Sequence, residues 1–260
     1  MLRGWITPTF CTSGTPLGIL GDAAQHYTEL GLHILPLVQD SKRPAVASGV
    51  YAATDTPDQI QEWWTANPLR NIGIATGASN LVAYDVDGFL GEASLAILET
   101  KYGKLPDTVT QVTPGKIIEG LHTGKGRHLI FKGVPGLQSM VRIADGIDVK
   151  AIGGYVVAAP SVHPNGGAYE FASGHSFDDM TPATLPATWI AFLKVMCSQK
   201  QDRDYCNHDE ELRQERALRQ AAEAKATEAL ERLADTQDRL IAHLEGKLPH
   251  HPLQKEAAEF

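Results

Sequence analysis

In Leu81-Val-Ala-Tyr-Asp-Val-Asp-Gly88, four mostly apolar residues lead into two carboxylates spaced two apart, and a glycine then interrupts the run. An apolar run of this length, bounded by turn residues, predicts a buried β-strand. Alternate side chains of a strand share a face, so Asp85 and Asp87 should point the same way while Val86 enters the core. The rest of the chain is predicted to pack around this strand.

The paired carboxylates of this strand predict a cation site. Two like charges on one face are costly unless a cation lies between them. Mg²⁺ prefers carboxylate oxygens and is usually held by one or two protein carboxylates together with substrate phosphates. Asp85 and Asp87 are therefore candidate ligands in a site for phosphate chemistry, although an isolated Asp-x-Asp is also typical of a polar strand end that enters a turn.

The composition is that of an ordinary globular protein, with 43% hydrophobic and 21% charged residues among 260, enough for one large domain or two smaller ones. No apolar run approaches the roughly 20 residues that span a bilayer, and the N-terminus lacks the features of a secretory signal. Three scattered cysteines, Cys11, Cys197 and Cys206, indicate neither a disulfide framework nor a zinc cluster. We therefore expect a cytoplasmic protein with reduced thiols and no membrane span.

The charge distribution sets one segment apart from the rest. The net charge of −8 argues against a generally basic nucleic-acid-binding protein. Within 101–150, however, eight residues are basic and four are acidic. A basic segment between acidic motifs is what a site that holds both a metal and a polyphosphate needs.

Turn and cap residues divide the sequence on both sides of the central strand into short helices and strands. Asp22 is a suitable N-cap for the first helix, Gly31 is placed to end it, and Pro36 limits the next strand to a sheet edge. The predicted helices cover 23–30, a segment from 57 that carries Trp63 and Trp64, 92–101 and 189–196, and the predicted strands cover 32–38, 71–77, 108–113, 128–131, 147–150, 155–159 and 169–171.

A glycine-rich basic loop is predicted over 114–127. Its glycines alternate with Lys116, Lys125 and Arg127, and the loop leads into a short strand that begins at His128. Backbone N–H groups of such loops can surround a phosphate, because glycine lets the backbone approach a ligand closely. The loop is therefore a candidate phosphate-binding segment.

The character of the chain changes near residue 197. Residues 197–260 are rich in Ala, Glu, Arg and Leu and predict a C-terminal helical extension, with Asn207 and Glu210 as capping residues. The apolar seam is weak and contains many alanines, so a coiled coil that mediates self-association, a solvated helix and a linker all fit the pattern. Residues 1–20, which are rich in Thr, Gly and Pro, predict a loose leader.

Three motifs taken together carry a resemblance to a known family. They are Asp85-x-Asp87, then Gly126-Arg127-His128, then Asp148 ahead of the run from Gly153 to Ser161. In this order the motifs resemble the bifunctional DNA primase/polymerase domain of the archaeo-eukaryotic primase superfamily, over about residues 22–193. The resemblance implies an α/β (α+β) fold with a mixed sheet, which we place at 21–196.

The resemblance also implies roles for individual residues. Asp85, Asp87 and Asp148 would bind two Mg²⁺ or Mn²⁺ ions, and His128 would contact the phosphates of the incoming nucleotide. Many members of the superfamily carry Ser-x-His where this chain has Gly126, so a backbone amide would replace the serine contact. The candidate nucleotide-binding residues are Lys125, Gly126, Arg127, His128, Lys150, Ser161 and His163.

The function implied by the resemblance is template-directed nucleotidyl transfer from (d)NTPs to DNA. It would serve the replication of a phage, a plasmid or another mobile element on a DNA template and primer. A helicase is often fused to this domain in the family, and here it would be a separate chain.

Two other functions remain open at this point. Asp85-Val-Asp-Gly88 is also similar to the first motif of haloacid-dehalogenase-type phosphatases, although Phe89 stands where that motif has Thr. The chain could also be a catalytically degenerate module that binds nucleotide or DNA within a replication complex. A metal-dependent primer-extension assay separates these alternatives.

Overall fold

The computed structural model describes residues 17–115, 117–118, 121–199 and 217–222 together with residues 225, 232 and 239. The chain divides into two compact units, Met1–Lys200 and Gln201–Phe260. In the second unit the described residues are helical, and the rest of the helix predicted there lies outside the described residues. The same holds for residues 1–16 of the predicted leader.

Within the described residues, the first unit is built from four α-helices, one short 3-10 helix (Gly49–Ala52) and eleven strands. In chain order they are α1 (Gly18–Glu29), β1 (Ile34–Leu37), α2 (Pro57–Ala66), β2 (Asn71–Ala75), β3 (Leu81–Val86), α3 (Gly88–Tyr102), β4 (Val109–Thr113), β5 (Ile117–Ile118), β6 (Leu121–His122), β7 (Gly126–Lys132), β8 (Met140–Ala144), β9 (Ile147–Lys150), β10 (Tyr155–Ala158), β11 (Glu170–Phe171) and α4 (187–199). Both helices and strands contribute, so the α+β class predicted from the sequence is confirmed.

Two of the predicted helices begin earlier than expected. Helix α1 begins at Gly18, so the N-cap role expected for Asp22 is wrong: Asp22 lies inside the helix, and its carboxylate accepts a hydrogen bond from the Leu17 N–H at 3.0 Å. Helix α3 begins at Gly88, which was expected only to end the strand. A Cβ on residue 88 would lie 2.1 Å from the Thr123 carbonyl oxygen, and its φ is +55°, so only glycine fits there.

The strands form a three-stranded sheet in the order β1-β2-β10, a six-stranded sheet in the order β11-β4-β7-β3-β9-β8, and the pair β5-β6. Every pairing between these strands is antiparallel. We expected a mixed sheet with parallel and antiparallel neighbours, and this prediction is wrong because all hydrogen-bonded neighbours among these strands are antiparallel. Helix α3 connects β3 to β4, but β7 lies between those two strands and runs opposite to both.

The central strand β3 is buried on both faces. Val82, Tyr84 and Val86 pack into one core together with Trp189 of α4. On the other face, Ala83 packs into a second core that also contains residues of the three-stranded sheet and of α1 and α2. Asp85 shares the face of Ala83, so its carboxylate lies at the end of the second core.

Within the part of the chain that the structure describes, no helix combines the length and the apolar character needed to cross a membrane.

Candidate active site

Four polar side chains lie side by side across the six-stranded sheet. Gln111 of β4 is directly opposite His128 of β7, His128 is opposite Asp85 of β3, and Asp85 is opposite Asp148 of β9. Directly opposed residues of antiparallel strands project to the same face. We call Gln111, His128, Asp85 and Asp148 the polar row.

The neighbouring row of residues on the same face explains why the polar row ends the core. Val109, Ile130 and Ala83 are opposed in the same way, two residues away from the polar row on the same face, and all three are almost fully buried. Lys150 of β9 is opposite Ala83 and therefore borders both rows. The sheet thus changes from apolar to charged within one step of its pleat.

Asp85 is held in its ionised form by its neighbours. His128 Nε2 lies 3.4 Å from Asp85 Oδ1, and the Asp85 side chain is 24% exposed. Burial alone would raise the pKa of Asp85, but the charge and hydrogen bond of His128 and the charges of Lys150 and Lys42 hold that pKa well below its usual range. The site therefore has a carboxylate that stays negative at neutral pH.

Each oxygen of the Asp148 carboxylate accepts one hydrogen bond. Its Oδ1 accepts the Arg142 N–H at 2.8 Å, and its Oδ2 accepts Lys150 Nζ at 2.8 Å. Arg142 belongs to β8, a strand that the sequence analysis missed, and has a φ of +53° next to a register shift in the β8-β9 pairing. This irregular edge strand aims a backbone N–H at Asp148.

Asp87 lies one residue past β3 as the N-cap of α3, instead of in the strand. Its N–H donates to the Gly146 carbonyl at 2.8 Å. Burial raises the pKa of the Tyr169 phenol, and the charges of Asp85 and Asp87 raise it further. The Tyr169 ring centroid is 6.0 Å from that of His128.

The structure separates the predicted nucleotide-binding residues into two groups. Arg127 lies on the face opposite to the polar row and forms a two-pronged ion pair with Glu92 of α3, at 2.6 and 2.7 Å. Ser161 is fully buried, and its hydroxyl accepts the Ile72 N–H at 2.8 Å. His163 is also buried, with its ring 5.7 Å from that of Tyr169.

Gly126, Lys125 and Lys150 form the other group, which borders the polar row. A Cβ on Gly126 would lie 2.6 Å from the Val86 carbonyl oxygen and 2.8 Å from Thr113 Oγ1, so the threonine hydroxyl lies beside the place where a side chain of residue 126 would begin. Thr113 and Lys125 also line a surface cleft of about 320 Å³. Thr113 is two residues from Gln111 on the same strand, so the cleft adjoins the polar row.

Three residues of this site were not predicted as functional from the sequence. Gln111 donates from Nε2 to the Val157 carbonyl at 2.6 Å, lies 2.9 Å from His128 Nδ1, and accepts the Ala159 N–H on Oε1 at 2.6 Å. Thr113 and Lys42 are the other two. The alternation of the predicted strand over 108–113 would have given Gln111 and Thr113 a common face, but only the strand register brings that face to His128.

The carboxylates suit a hard divalent cation, although their side chains are not gathered around one point. Among the described residues, no group of three or more His, Cys, Asp or Glu is arranged to hold a metal ion. Asp85 and Asp148 nevertheless occupy opposed backbone positions, and Asp148 holds the Lys150 ammonium group. An all-oxygen donor set that already binds one cation fits Mg²⁺ or Mn²⁺.

The model of the bifunctional DNA primase/polymerase N-terminal domain matches residues 24–188, more than half of the chain and the whole polar row. The chain belongs to this family. Membership makes a primase/polymerase of the nucleotidyltransferase type the functional class, with DNA and nucleotides as substrates, and members generally use divalent metals. A search of curated proteins gives no match.

Proposed function

We propose that this chain catalyses template-directed nucleotidyl transfer from nucleoside triphosphates to the 3′ end of a DNA strand. The observation that supports this most directly is the register of the sheet, in which Asp85 has His128 on one side and Asp148 on the other. A carboxylate pair for metal ions next to a donor for phosphate is the arrangement that phosphoryl transfer requires.

Asp85, Asp87 and Asp148 are the residues that would hold Mg²⁺ or Mn²⁺. When bound, two such ions activate the attacking hydroxyl and neutralise charge on the leaving pyrophosphate. Lys150 and Lys42 add positive charge to the surroundings of Asp85, since the charges of both lower the pKa of its carboxyl. We propose that Lys150 leaves Asp148 and binds a phosphate oxygen when nucleotide enters.

His128 would bind the triphosphate through Nε2. The 3.4 Å separation between Nε2 and Asp85 Oδ1 is longer than an ordinary hydrogen bond, so this nitrogen is only loosely engaged. A phosphate oxygen that approaches from the cleft would be a charged acceptor like Asp85, and it could take the Nε2 proton at a shorter distance than the 3.4 Å to Asp85 Oδ1.

Thr113 would supply the hydroxyl contact that a serine at position 126 provides in other members of the superfamily. Its Oγ1 lies beside the place where a side chain of residue 126 would begin, and Thr113 lines the cleft together with Lys125. We propose that this cleft receives the distal phosphates. Arg127, in contrast, we assign to holding α3 against β7 through Glu92.

The test is primer extension on a primed single-stranded DNA template, with Mg²⁺ or Mn²⁺ and with EDTA as the control. We expect extension that depends on template and metal. Nucleotide binding without extension would favour the degenerate module, and release of inorganic phosphate without extension would favour the phosphatase. Either result would overturn the proposal.

A further inference from the structure

The side-chain amide of Gln111 is fixed in one orientation. Its Oε1 faces the Ala159 N–H at 2.6 Å, and a backbone N–H can only donate. Its Nε2 faces the Val157 carbonyl oxygen at 2.6 Å, and a carbonyl can only accept. Turning the amide around would therefore replace two good hydrogen bonds by two repulsive contacts in a buried place.

This orientation assigns a role to each ring nitrogen of His128. The Gln111 Nε2 atom lies 2.9 Å from His128 Nδ1 and is a donor, so Nδ1 must accept. A neutral imidazole has one donor and one acceptor nitrogen. The proton of neutral His128 is therefore on Nε2, the nitrogen that points towards Asp85.

We propose that Gln111 is a positioning residue that fixes the tautomer of His128 and so presents an Nε2–H donor to the incoming triphosphate. In the other tautomer, the Nδ1–H of His128 would face an N–H of Gln111. This clash would be costly because both side chains are buried and no water can replace the lost hydrogen bond. The assignment of the tautomer stands on the geometry alone, whereas its use in binding triphosphate rests on the proposed function.

The hydrogen bonds of Gln111 also link the two sheets. Gln111 belongs to β4 of the six-stranded sheet. Val157 lies in β10 of the three-stranded sheet, and Ala159 is the first residue after β10. The proton position on His128 is thus set by backbone groups of the opposite sheet. A change in the spacing between the two sheets would therefore alter the hydrogen bonds of Gln111 and, through them, the protonation of His128 Nε2.

The experiment is ¹⁵N NMR of the full-length chain labelled at histidine, recorded at pH 8, where an ordinary imidazole is neutral. The His128 signals are assigned by their loss in His128→Asn. We expect an unprotonated Nδ1 and a protonated Nε2 in the wild type. A protonated Nδ1 in the wild type would overturn the proposal, and this spectrum needs no variant of Gln111.

Two substitutions then test whether Gln111 is the cause. Gln111→Met keeps the length of the side chain but removes the donor, so His128 should show a mixture of both tautomers. Gln111→Glu keeps an acceptor for the Ala159 N–H and places a carboxylate oxygen at Nδ1, so the proton should move to Nδ1. An unchanged Nε2–H tautomer in a folded variant of either kind would contradict the proposal.

The kinetic readout separates this role from general stability. Gln111→Met should raise the nucleotide KM roughly tenfold, as expected for losing part of one hydrogen bond to a charged group, with a smaller effect on kcat. Gln138→Met, a half-buried glutamine outside the polar row, is the control and should leave KM unchanged. If the wild type does not extend primers, the proposed function fails, while the NMR result still decides the tautomer.

Discussion

Asp85 and Asp148 lie directly opposite one another on the antiparallel strands β3 and β9. The Cα atoms of such pairs are roughly 4.5–5.5 Å apart, and carboxylate oxygens bind Mg²⁺ or Mn²⁺ at about 2.0–2.6 Å, so one ion can reach both side chains. The Asp148 carboxylate is nevertheless engaged with Arg142 and Lys150. A metal ion between the two carboxylates would therefore compete with the Lys150 ammonium group for Asp148.

The first prediction concerns the carboxylates of the polar row. Asp85→Asn keeps the shape of the side chain but removes a negative ligand, so primer extension should fall by roughly three orders of magnitude, and Asp148→Asn should behave alike. Asp145→Asn is the control, because Asp145 is exposed in the turn that precedes β9 and should keep activity. Extension by Asp85→Asn at the wild-type rate would remove the basis of the proposed mechanism.

The second prediction is that removing the Lys150 ammonium group strengthens metal binding but weakens nucleotide binding. Lys150→Met removes the ammonium group that competes for Asp148, so Mn²⁺ should bind more tightly in the absence of nucleotide. The same change should raise the nucleotide KM, by roughly tenfold, because a phosphate partner is lost. Calorimetric Mn²⁺ titration and steady-state kinetics measure the two effects. Weaker Mn²⁺ binding by the variant would show that Lys150 does not occupy the place of a metal.

Thr113 carries the third prediction. Thr113→Val preserves the volume beside Gly126 and removes only the hydroxyl, so the nucleotide KM should rise several-fold to tenfold while the stability changes little. Thr110→Val is a matched control on the same strand, since Thr110 lies on the opposite face and bonds the Thr108 carbonyl. Equal effects of the two substitutions on KM would refute a phosphate contact by Thr113.

The central strand and its carboxylates could be predicted because their signal is local. An apolar run that ends in Asp85-x-Asp87 defines a strand without any knowledge of its partners, and β9 is recognisable in the same way. The position of Asp87 as a helix cap was less accessible, because it depends on Gly88 fitting against the Thr123 carbonyl. Contacts from a distant loop decide where α3 begins.

Gln111 could not be assigned from the sequence, because its role depends on register. A glutamine in a short strand has no functional signal of its own, and the β4-β7 pairing that sets it beside His128 joins segments separated by the glycine-rich loop. Strand β8 was not predicted either, because Arg142 adopts a left-handed backbone conformation that interrupts the alternation of side chains along this strand. Buried Ser161 likewise gave no sign of its bond to β2.

Arg127 shows how the alternation of a strand divides the residues that the resemblance assigned to nucleotide binding. Neighbouring residues of a strand point to opposite faces, so Arg127 and His128 cannot both face one nucleotide from β7. The ion pair with Glu92 follows from this alternation, because it lies on the face that packs against α3.

The last prediction therefore separates Arg127 from the basic residues that border the polar row. Arg127→Gln breaks an ion pair whose side chains are 38% and 40% exposed, so the loss of stability should be at most about 1 kcal/mol, because solvent screens such pairs. Its nucleotide KM should stay near the wild-type value, in contrast to Lys150→Met. Urea unfolding and steady-state kinetics on the same preparations measure both quantities. Glu92→Gln should reproduce the stability loss, and the double variant should add little to it, since the two side chains act as one unit. A nucleotide KM that rises tenfold in Arg127→Gln but not in Glu92→Gln would return Arg127 to the nucleotide site.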